Sequence, residues 1–282
     1  PHTDETVVTV TKRKQGCKDD ERDAFDLANK LRTDSLEVRV YKEVGRYGRL
    51  RELARVHKMQ VDDSVRIQNR VKALFRSRGL ALGDDMYDAN KREACIKQLP
   101  ARSRTAAELF LRQYDAVQSL RYEAEKTLVR EARRHPAFKL LFTVPGLGPL
   151  RCARLMAVVI SPHRFRTREQ FWKYCGFAVV KHSSANWRGR DGKLEKHIVE
   201  QTRGLNRNHN HTLKDVFKGA ATTVVNQPRK GCPLLAHYKN MLESNIDPDM
   251  AKLTLARQVA AVTLALWKKE ECYDPAKLKK AT

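Results

Sequence analysis

The sequence predicts a mainly α-helical protein with a partial α/β part near its amino-terminal end. Two long runs without proline, positions 44–78 and 105–134, carry apolar residues at helical spacing. The segment ETVVTV at positions 5–10 is rich in β-branched residues, which is typical of a strand. Beyond Pro136, short apolar segments alternate with Pro, Gly and His. This change in the sequence pattern predicts a compact carboxy-terminal domain.

A short helix is predicted directly after the amino-terminal strand. The polar segment TKRKQG ends the strand, and acidic residues at positions 19–21 then suit the positive end of a helix dipole. An approximate apolar face follows, made by Phe25, Leu27, Ala28 and Leu31. At the other end of the chain, the apolar segment 249–269 predicts a core helix.

The two long runs are predicted to pair as an antiparallel coiled coil, each burying one stripe. The apolar residues of the first run are Leu50, Leu53, Ala54, Val61, Val65, Val71, Leu74 and Phe75. Those of the second run are Leu109, Val117, Leu120, Ala124 and Leu128. Gly79 and Gly83 mark the end of the first helix.

The composition indicates a nucleic-acid partner. The 56 Lys and Arg residues stand against 33 Asp and Glu, a formal net charge of +23 over 282 residues. Such an excess attracts a phosphate polyanion through counterion release. A membrane surface is the alternative polyanion, but the sequence has no run of about eighteen apolar residues. We therefore expect nucleic acid and no membrane.

The six cysteines lie far apart and form no CxxC pair. Their spacing predicts neither a zinc site nor a disulfide framework, and it fits a reducing cytoplasm. The segment NRNHNH at positions 206–211 contains a His-x-His pair, but its Asn neighbours favour a polar loop over a metal site.

Two features are candidate nucleic-acid-binding sites. The first long helix carries a basic face that includes Arg55, Arg66 and Arg70, and its alternative role is that of an ordinary solvated face. In the segment LLFTVPGLGPLRCARLMAVV, Gly146 and Gly148 permit a tight turn between two helices. The second of these helices then offers free N–H groups to a phosphate, as in a helix-hairpin-helix motif. An ordinary αα-corner is the alternative.

Two further features could carry chemistry. Asp20 and Asp23 are three residues apart in the predicted short helix, so their carboxylates share a face and could hold Mg²⁺. Acidic residues that complement the helix dipole are the alternative.

In the predicted loop 175–193, Ser183 and Ser184 lie among Lys181, His182, Arg188 and Arg190. An activated serine could attack a phosphodiester there, but such a serine is usually a surface loop residue.

Taken in order, these segments resemble the DEDD transposases of the IS110 family, relatives of the Piv and MooV DNA invertases. KDDERDAFDLANKLR is similar to the family's K-x-D-x-x-D-A-x-x-L-A signature, and YGRLRELARVHKMQVDDSVRIQNRVKALF is similar to its basic long helix. LLFTVPGLGPLRCARLMAVVISPHRFRTREQFWKYCGFA resembles the start of the family's transposase domain, and residues 232–275 resemble its closing segment. The resemblance runs nearly end to end.

The resemblance implies three domains. Residues 1–40 would be the end of an RNase H-like (RuvC-like) domain, residues 41–138 a long helical coiled coil, and residues 139–282 a helical transposase domain with the helix-hairpin-helix-like motif. In the family, an Asp, a Glu and two further Asp bind Mg²⁺, and the last two match Asp20 and Asp23. The first Asp and the Glu lie on strands well upstream, whereas this sequence begins nineteen residues before Asp20. We therefore expect an incomplete RNase H-like segment and an incomplete metal site.

The resemblance also implies the reaction and the partners. Counting from Gly176, the family's serine matches Ser184, with Ser183 immediately before it as the alternative. Ser184 would attack the DNA phosphate and hold a covalent phosphoserine while strands exchange. The protein would be a transposase or site-specific recombinase acting on donor and target DNA, guided by a noncoding bridge RNA. It would work as a dimer or tetramer in a bacterial or archaeal cytoplasm, close to the nucleoid.

A non-catalytic helical nucleic-acid-binding protein, such as an RNA chaperone or a ribosome-associated factor, is the alternative function. It would account for the net charge, the long helices and the turn at Gly146 and Gly148 equally well. It gives no role to Asp20, Asp23 or Ser184.

Overall fold

The computed structural model describes residues 8–9, 20–33, 39–40, 45, 47–190, 193–228 and 231–278. At positions 8, 9, 20, 22, 23, 27, 39, 40, 84, 180–190 and 193–203, only the backbone is described. The chain divides into two compact units, Pro1–Arg49 and Leu50–Thr282. The predicted boundaries at positions 40 and 138 stay predictions.

The first unit contains a two-stranded antiparallel ladder and one helix. Strand β1, Val8–Thr9, pairs with strand β2, Arg39–Val40, and Val8 stands opposite Val40. Helix α1, Asp20–Arg32, lies between them in the chain. The predicted strand is confirmed at Val8–Thr9, and the predicted helix is confirmed. The RNase H-like identity of this unit stays a prediction.

Two long helices form the first part of the second unit. Helix α2 spans Gly48–Arg76 and helix α4 spans Ala101–Ala132, joined through a 3₁₀ turn at Asp84–Tyr87 and the short helix α3, Arg92–Lys97. Side-chain pairs that bridge α2 and α4 run in opposite directions along the two helices: Gln68–Tyr114, Ser64–Gln118 and His57–Glu125. The helices are therefore antiparallel neighbours, while their coiled-coil packing stays a prediction.

The stripe that α2 and α4 bury differs from the predicted one. On α2, the buried Leu50, His57, Ser64 and Val71 recur every seventh residue, but two of these four are polar. The predicted core residues Val65, Leu109 and Leu120 are instead 48%, 54% and 51% exposed, so the prediction was wrong for them. The stripe is displaced because Ser64 accepts a hydrogen bond from the Gln118 amide at 2.9 Å, which satisfies a polar contact inside the seam.

A separate apolar cluster closes the far end of the helix pair. Its buried members come from the end of α2, the connecting segment and the start of α4: Val71, Phe75, Met86, Ile96, Leu99, Ala107 and Leu111. The connection thus packs back onto the helices that it joins, which fixes their separation at this end.

The remaining helices build the carboxy-terminal core. Their bounds are α5, Pro136–Phe142; α6, Pro149–Val159; α7, Arg168–Cys175; α8, His211–Asn226; α9, Pro233–Glu243; α10, Pro248–Lys269; and α11, Pro275–Leu278. Five of them, α5, α6, α9, α10 and α11, begin with proline, whose fixed φ and missing N–H suit the first turn of a helix. Helix α10 confirms the predicted core helix and packs against α5, α7, α8 and α9.

The segment that carries Ser183 and Ser184 is a long β-hairpin, so the predicted loop was wrong. Strand β3, Val179–Arg190, pairs antiparallel with strand β4, Lys193–Leu205. The pairing has one irregularity, between Val179 and Lys181, and is continuous from there to Arg190 opposite Lys193. A regular two-stranded ladder pairs about half of the backbone N–H and C=O groups of its strands, which a loop of this length would leave to water.

Within the part of the chain that the structure describes, no helix is both long and apolar enough to cross a membrane.

The turn between α5 and α6 needs one of its two glycines for a structural reason. Gly146 has φ +83°, and a Cβ on it would lie 2.3 Å from the carbonyl oxygen of Ala220 in α8. Gly148 has φ −76°, and a Cβ on it would enter open space, since no atom of the described residues other than its chain neighbours lies within 4 Å of that position. Gly146 is thus needed for helix packing, whereas Gly148 is not.

We predict that Gly146→Ala lowers the free energy of unfolding by about 2–4 kcal/mol. The left-handed conformation disfavours a side chain, and the added methyl group would collide with the α8 backbone. Urea denaturation followed by helical circular dichroism measures this loss. Gly148→Ala is the matched control and should stay within about 1 kcal/mol of the wild type. An equal loss in both variants would contradict the packing role of Gly146.

Candidate nucleic-acid interface

The predicted cations of α2 share one side of the helix. At about 100° per residue, Arg55, Arg66 and Arg70 project within about 60° of one another. The buried residues Leu50, His57, Ser64 and Val71 project to the opposite side. Arg66 is ion-paired with Asp63 at 2.6 Å, and Arg55 and Arg70 are exposed. The basic side of α2 therefore faces away from the buried seam.

Arg55 lines a cavity of about 270 Å³ between α2, α6 and the start of α8. Three further cations line it: Arg51 and Lys58 from α2, and Arg154 from α6. Aliphatic groups, including Ala157 and Val158, form the rest of the wall. We call this space the basic cavity. Four cations around one concave surface attract anionic groups such as phosphates.

Arg154 also borders a second cavity of about 320 Å³, which reaches the start of α6 at Gly148 and Pro149. Its guanidinium Nη1 donates to Asp215 of α8 at 2.9 Å. The two cavities thus meet at Arg154, which places the basic side of α2 next to the glycine turn. The sequence predictions at Arg55 and Gly148 fall on neighbouring surfaces. Arg51 and Lys58 belong to the basic face predicted for the first long helix, whereas Arg154 was not predicted.

Arg151 fixes the glycine turn to α8. Its Nη1 donates to the carbonyl oxygen of Gly146 at 3.0 Å and to the hydroxyl of Thr223 at 2.9 Å. A Cβ on Gly219 would lie 3.0 Å from this guanidinium, so α8 offers its least bulky residue at the contact. Burial lowers the pKa of Arg151. Arg151 is thus committed to packing between the glycine turn and α8.

The hairpin carries the predicted serine and three predicted cations. Ser184 stands opposite Val199, and Ser183 stands opposite Glu200. Because successive strand positions alternate between faces, positions 184, 188 and 190 share one face of the hairpin, and positions 181 and 183 share the other. The side chains at these positions lie outside the described residues. Their roles stay predictions.

Asp20 and Asp23 both lie in the first turns of α1. The helical backbone puts the two positions one turn apart, the spacing at which two carboxylates can share a cation. Their side chains lie outside the described residues. Among the residues that are described, no group of three or more His, Cys, Asp or Glu could hold a metal ion.

Comparison with known proteins places a family match on the hairpin and the helices around it. Residues 138–230 match the model of the transposase IS116/IS110/IS902 family. This segment is similar to a transposase domain. It covers about a third of the chain and includes Gly146, Gly148, Arg154 and Ser184. No curated protein matches the chain. The match supports the resemblance to the IS110-family transposases.

His57 lies on the buried side of α2, where α2 meets α4 and the transposase-like segment. It is 3% exposed, and its Nε2 is 3.9 Å from a carboxylate oxygen of Glu125. Burial lowers the pKa of His57 to about 4, and the charges of Arg154 and Arg121 act in the same direction. The ring is therefore neutral at physiological pH.

We predict that His57 makes the fold less stable in acid. Since its pKa is about 4 in the folded chain and 6.5 ordinarily, the unfolded chain binds the proton first. The stabilisation by neutral His57 is complete above pH ~6.5 and is lost as the pH falls towards 4, by up to about 3 kcal/mol. Urea denaturation across this pH range measures the effect.

His57→Gln is the matched variant, because it keeps a polar side chain of similar size without a group that titrates there. Its free energy of unfolding should change less than that of the wild type between neutral pH and pH ~4. Parallel pH profiles for the two proteins would show that His57 does not titrate as argued.

Proposed function

We propose that this protein is a DNA transposase that cuts and rejoins DNA strands. The observation that carries the proposal is the match of residues 138–230 to the IS116/IS110/IS902 transposase family. The formal charge of +23 supports a polyanionic substrate. The basic cavity supports it further, because its cations converge from α2 and from Arg154 in α6, inside the transposase-like segment.

In this proposal the basic side of α2 and the basic cavity hold the DNA backbone. Arg55 and Arg70 are exposed, and Lys58 lies on the cavity wall with an ion pair to Asp62. Contacts of this type fix the position of a duplex through its phosphates and do not read its sequence. Gly148, at the start of α6, would add backbone N–H groups of the following turn to the same surface.

Ser184 is proposed as the nucleophile. Its Oγ would form a bond to a DNA phosphorus while the phosphodiester P–O bond to one strand breaks. The serine proton passes to water, and the displaced strand oxygen takes a proton from water, so atoms and charge balance. The pairing register supports Ser184 over Ser183, because positions 188 and 190, both arginine, share the hairpin face of Ser184.

Mg²⁺ is proposed as the cofactor, with Asp20 and Asp23 as two of its ligands. Support comes from the spacing of the two positions in α1 and from the preference of Mg²⁺ for carboxylate oxygens. When bound, the ion would neutralise charge that develops on the reacting phosphate.

The family resemblance also supports a noncoding bridge RNA as guide and a dimer or tetramer as the working assembly, close to the nucleoid of a bacterial or archaeal cell.

We predict that the double variant Arg55→Ala/Lys58→Ala binds duplex DNA about tenfold or more weakly at low salt. Each phosphate contact that is lost should also lower the slope of log affinity against log salt by about 0.9. Fluorescence anisotropy titrations at several salt concentrations measure both quantities.

Arg102→Ala/Lys239→Ala is the matched control, because it removes the same charge from exposed positions at the start of α4 and on α9. It should change duplex affinity by no more than about twofold to threefold. If the two double variants lose affinity equally, net charge alone holds the DNA and the basic cavity has no special role.

We predict that Ser184→Ala abolishes strand exchange, while Ser183→Ala retains most of it. The reason is that only the hydroxyl of Ser184 would bond to phosphorus. Asp20→Asn should also abolish exchange if the carboxylate binds Mg²⁺. Gel analysis of strand exchange, with DNA binding measured in parallel, separates chemistry from affinity.

Normal exchange by both Ser184→Ala and Asp20→Asn, with DNA binding intact, would refute the catalytic assignment. Exchange lost only in Ser183→Ala would move the nucleophile to the other hairpin face. Tight binding of nucleic acid without exchange by the wild type would favour the non-catalytic nucleic-acid-binding protein.

A further inference from the structure

A large open cavity lies at the root of the hairpin. Its volume is about 600 Å³, and it is lined by the end of α7, by Phe165 before α7, and by the loop between β4 and α8. The loop begins directly after Leu205, the last residue of β4, and the backbone N–H of Asn206 donates to the carbonyl of Ala178 at 3.0 Å. We call this space the root cavity. It is separate from the basic cavity, with which it shares no lining residue.

The loop that lines the root cavity is held in one shape by its own side chains. The Asn206 amide donates to the carbonyl of Asn208 at 2.7 Å, and its side-chain oxygen accepts from the Asn208 backbone N–H at 3.1 Å. The side chain of Asn210 accepts from Leu213 N–H at 3.1 Å and so caps α8. Asn206 and Asn210 are thus committed to structure, while the side-chain amide of Asn208 makes no hydrogen bond within the described residues.

The ring of His209 also lines this cavity. Its Nδ1 lies 2.8 Å from the carbonyl oxygen of Asn206, so Nδ1 carries the proton in that hydrogen bond. In the neutral ring, Nε2 is then an acceptor, and this buried atom has no hydrogen-bond partner in the part of the chain that the structure describes. The ring is tightly seated, since a Cβ on Gly176 would lie 2.5 Å from its Cγ.

Two aromatic rings complete the lining. The centroids of Phe165 and Tyr174 are 5.3 Å apart with a 46° interplanar angle, and the Arg164 guanidinium lies 5.7 Å from each. Tyr174 is half-buried, and its neighbour Lys173 is exposed on the same lining. The root cavity thus combines flat apolar surface, a side-chain amide and an ammonium group.

We propose that the root cavity binds an unpaired nucleotide of the substrate strand. A base can stack on the exposed part of Tyr174, the Asn208 amide can bond to its polar edge, and Lys173 can contact the phosphate. The volume of about 600 Å³ lies within the range that accommodates a ligand of this size. This inference rests on the proposed function, because it assigns a part of the nucleic-acid substrate to a second site.

The root cavity lies at the end of the hairpin strand that carries Ser184, so a strand bound there could extend towards that serine. Ser184 lies six residues along β3 from Ala178, a distance of about 20 Å at about 3.3 Å per residue. A strand held by one unpaired nucleotide at the root could thus run along the hairpin towards the serine. Holding an unpaired base also requires local opening of the duplex, which strand exchange requires as well.

The test is equilibrium binding of the full chain to three probes of about 20 nucleotides: a mixed-sequence single strand, its duplex, and a single strand with abasic sites. Tyr174→Ala and Asn208→Ala should each weaken single-strand affinity about tenfold and leave duplex affinity within about twofold. Tyr174→Phe, which keeps the ring, should stay within about threefold of the wild type. For the wild type, abasic sites should cost about as much as Tyr174→Ala.

Tyr122→Ala and Asn240→Ala, at exposed positions on α4 and α9, are the matched controls and should bind all probes as the wild type does. Single-strand affinity unchanged in Tyr174→Ala, or unaffected by abasic sites, would overturn the inference. Wild-type binding to duplex but not to single strands would also overturn it while leaving the proposed function intact. Binding to neither DNA probe would overturn both. An RNA single strand tests the source of the nucleotide: dependence on Tyr174 with the DNA strand supports the inference, and dependence on Tyr174 with RNA alone overturns it.

Discussion

The glycine turn between α5 and α6 meets the backbone of α8 at Gly146, and the arrangement of the basic cavity depends on this contact. Gly146 has no room for a Cβ against the carbonyl of Ala220, and Arg151 ties the turn to Thr223 from the other side. With α6 fixed on α8 in this way, Arg154 reaches Asp215 and still lines the space opposite α2. A bulkier turn would push the helices apart and separate Arg154 from the cations of α2.

The same packing decides which positive charges remain available to a ligand. Arg151 is occupied by a carbonyl and a hydroxyl, and burial keeps His57 neutral, so neither adds a free charge beneath the basic cavity. Because like charges a few ångströms apart repel strongly where water is excluded, a neutral ring at His57 avoids repulsion with the nearby Arg154 and Arg121. The cations that face solvent, such as Arg55, do not bear the desolvation penalty of a buried charge.

The sequence predicts the helices of this fold better than the contacts between them. Periodicity and the absence of proline locate α2, α4 and α10. The buried seam was misplaced because polar residues such as Ser64 enter it through a hydrogen bond that only the partner helix supplies. The hairpin was missed because charged residues occur throughout both strands. The Asp191–Gly192 pair between them is nevertheless a strong hairpin signal and could have identified it. Arg154 became a site residue only through tertiary packing.

The basic cavity and the root cavity suit different parts of a nucleic acid. The basic cavity offers cations and aliphatic walls, and attraction between these cations and phosphates acts over about a Debye length, regardless of base pairing. The root cavity offers aromatic rings and an amide, which act only on a base that has left its stack. In the proposed function, charge therefore favours capture of a duplex first, and base contacts come into use only where that duplex opens. Since the root cavity adjoins the end of β3 from which the chain runs to Ser184, opening at this place would present a single strand to the hairpin.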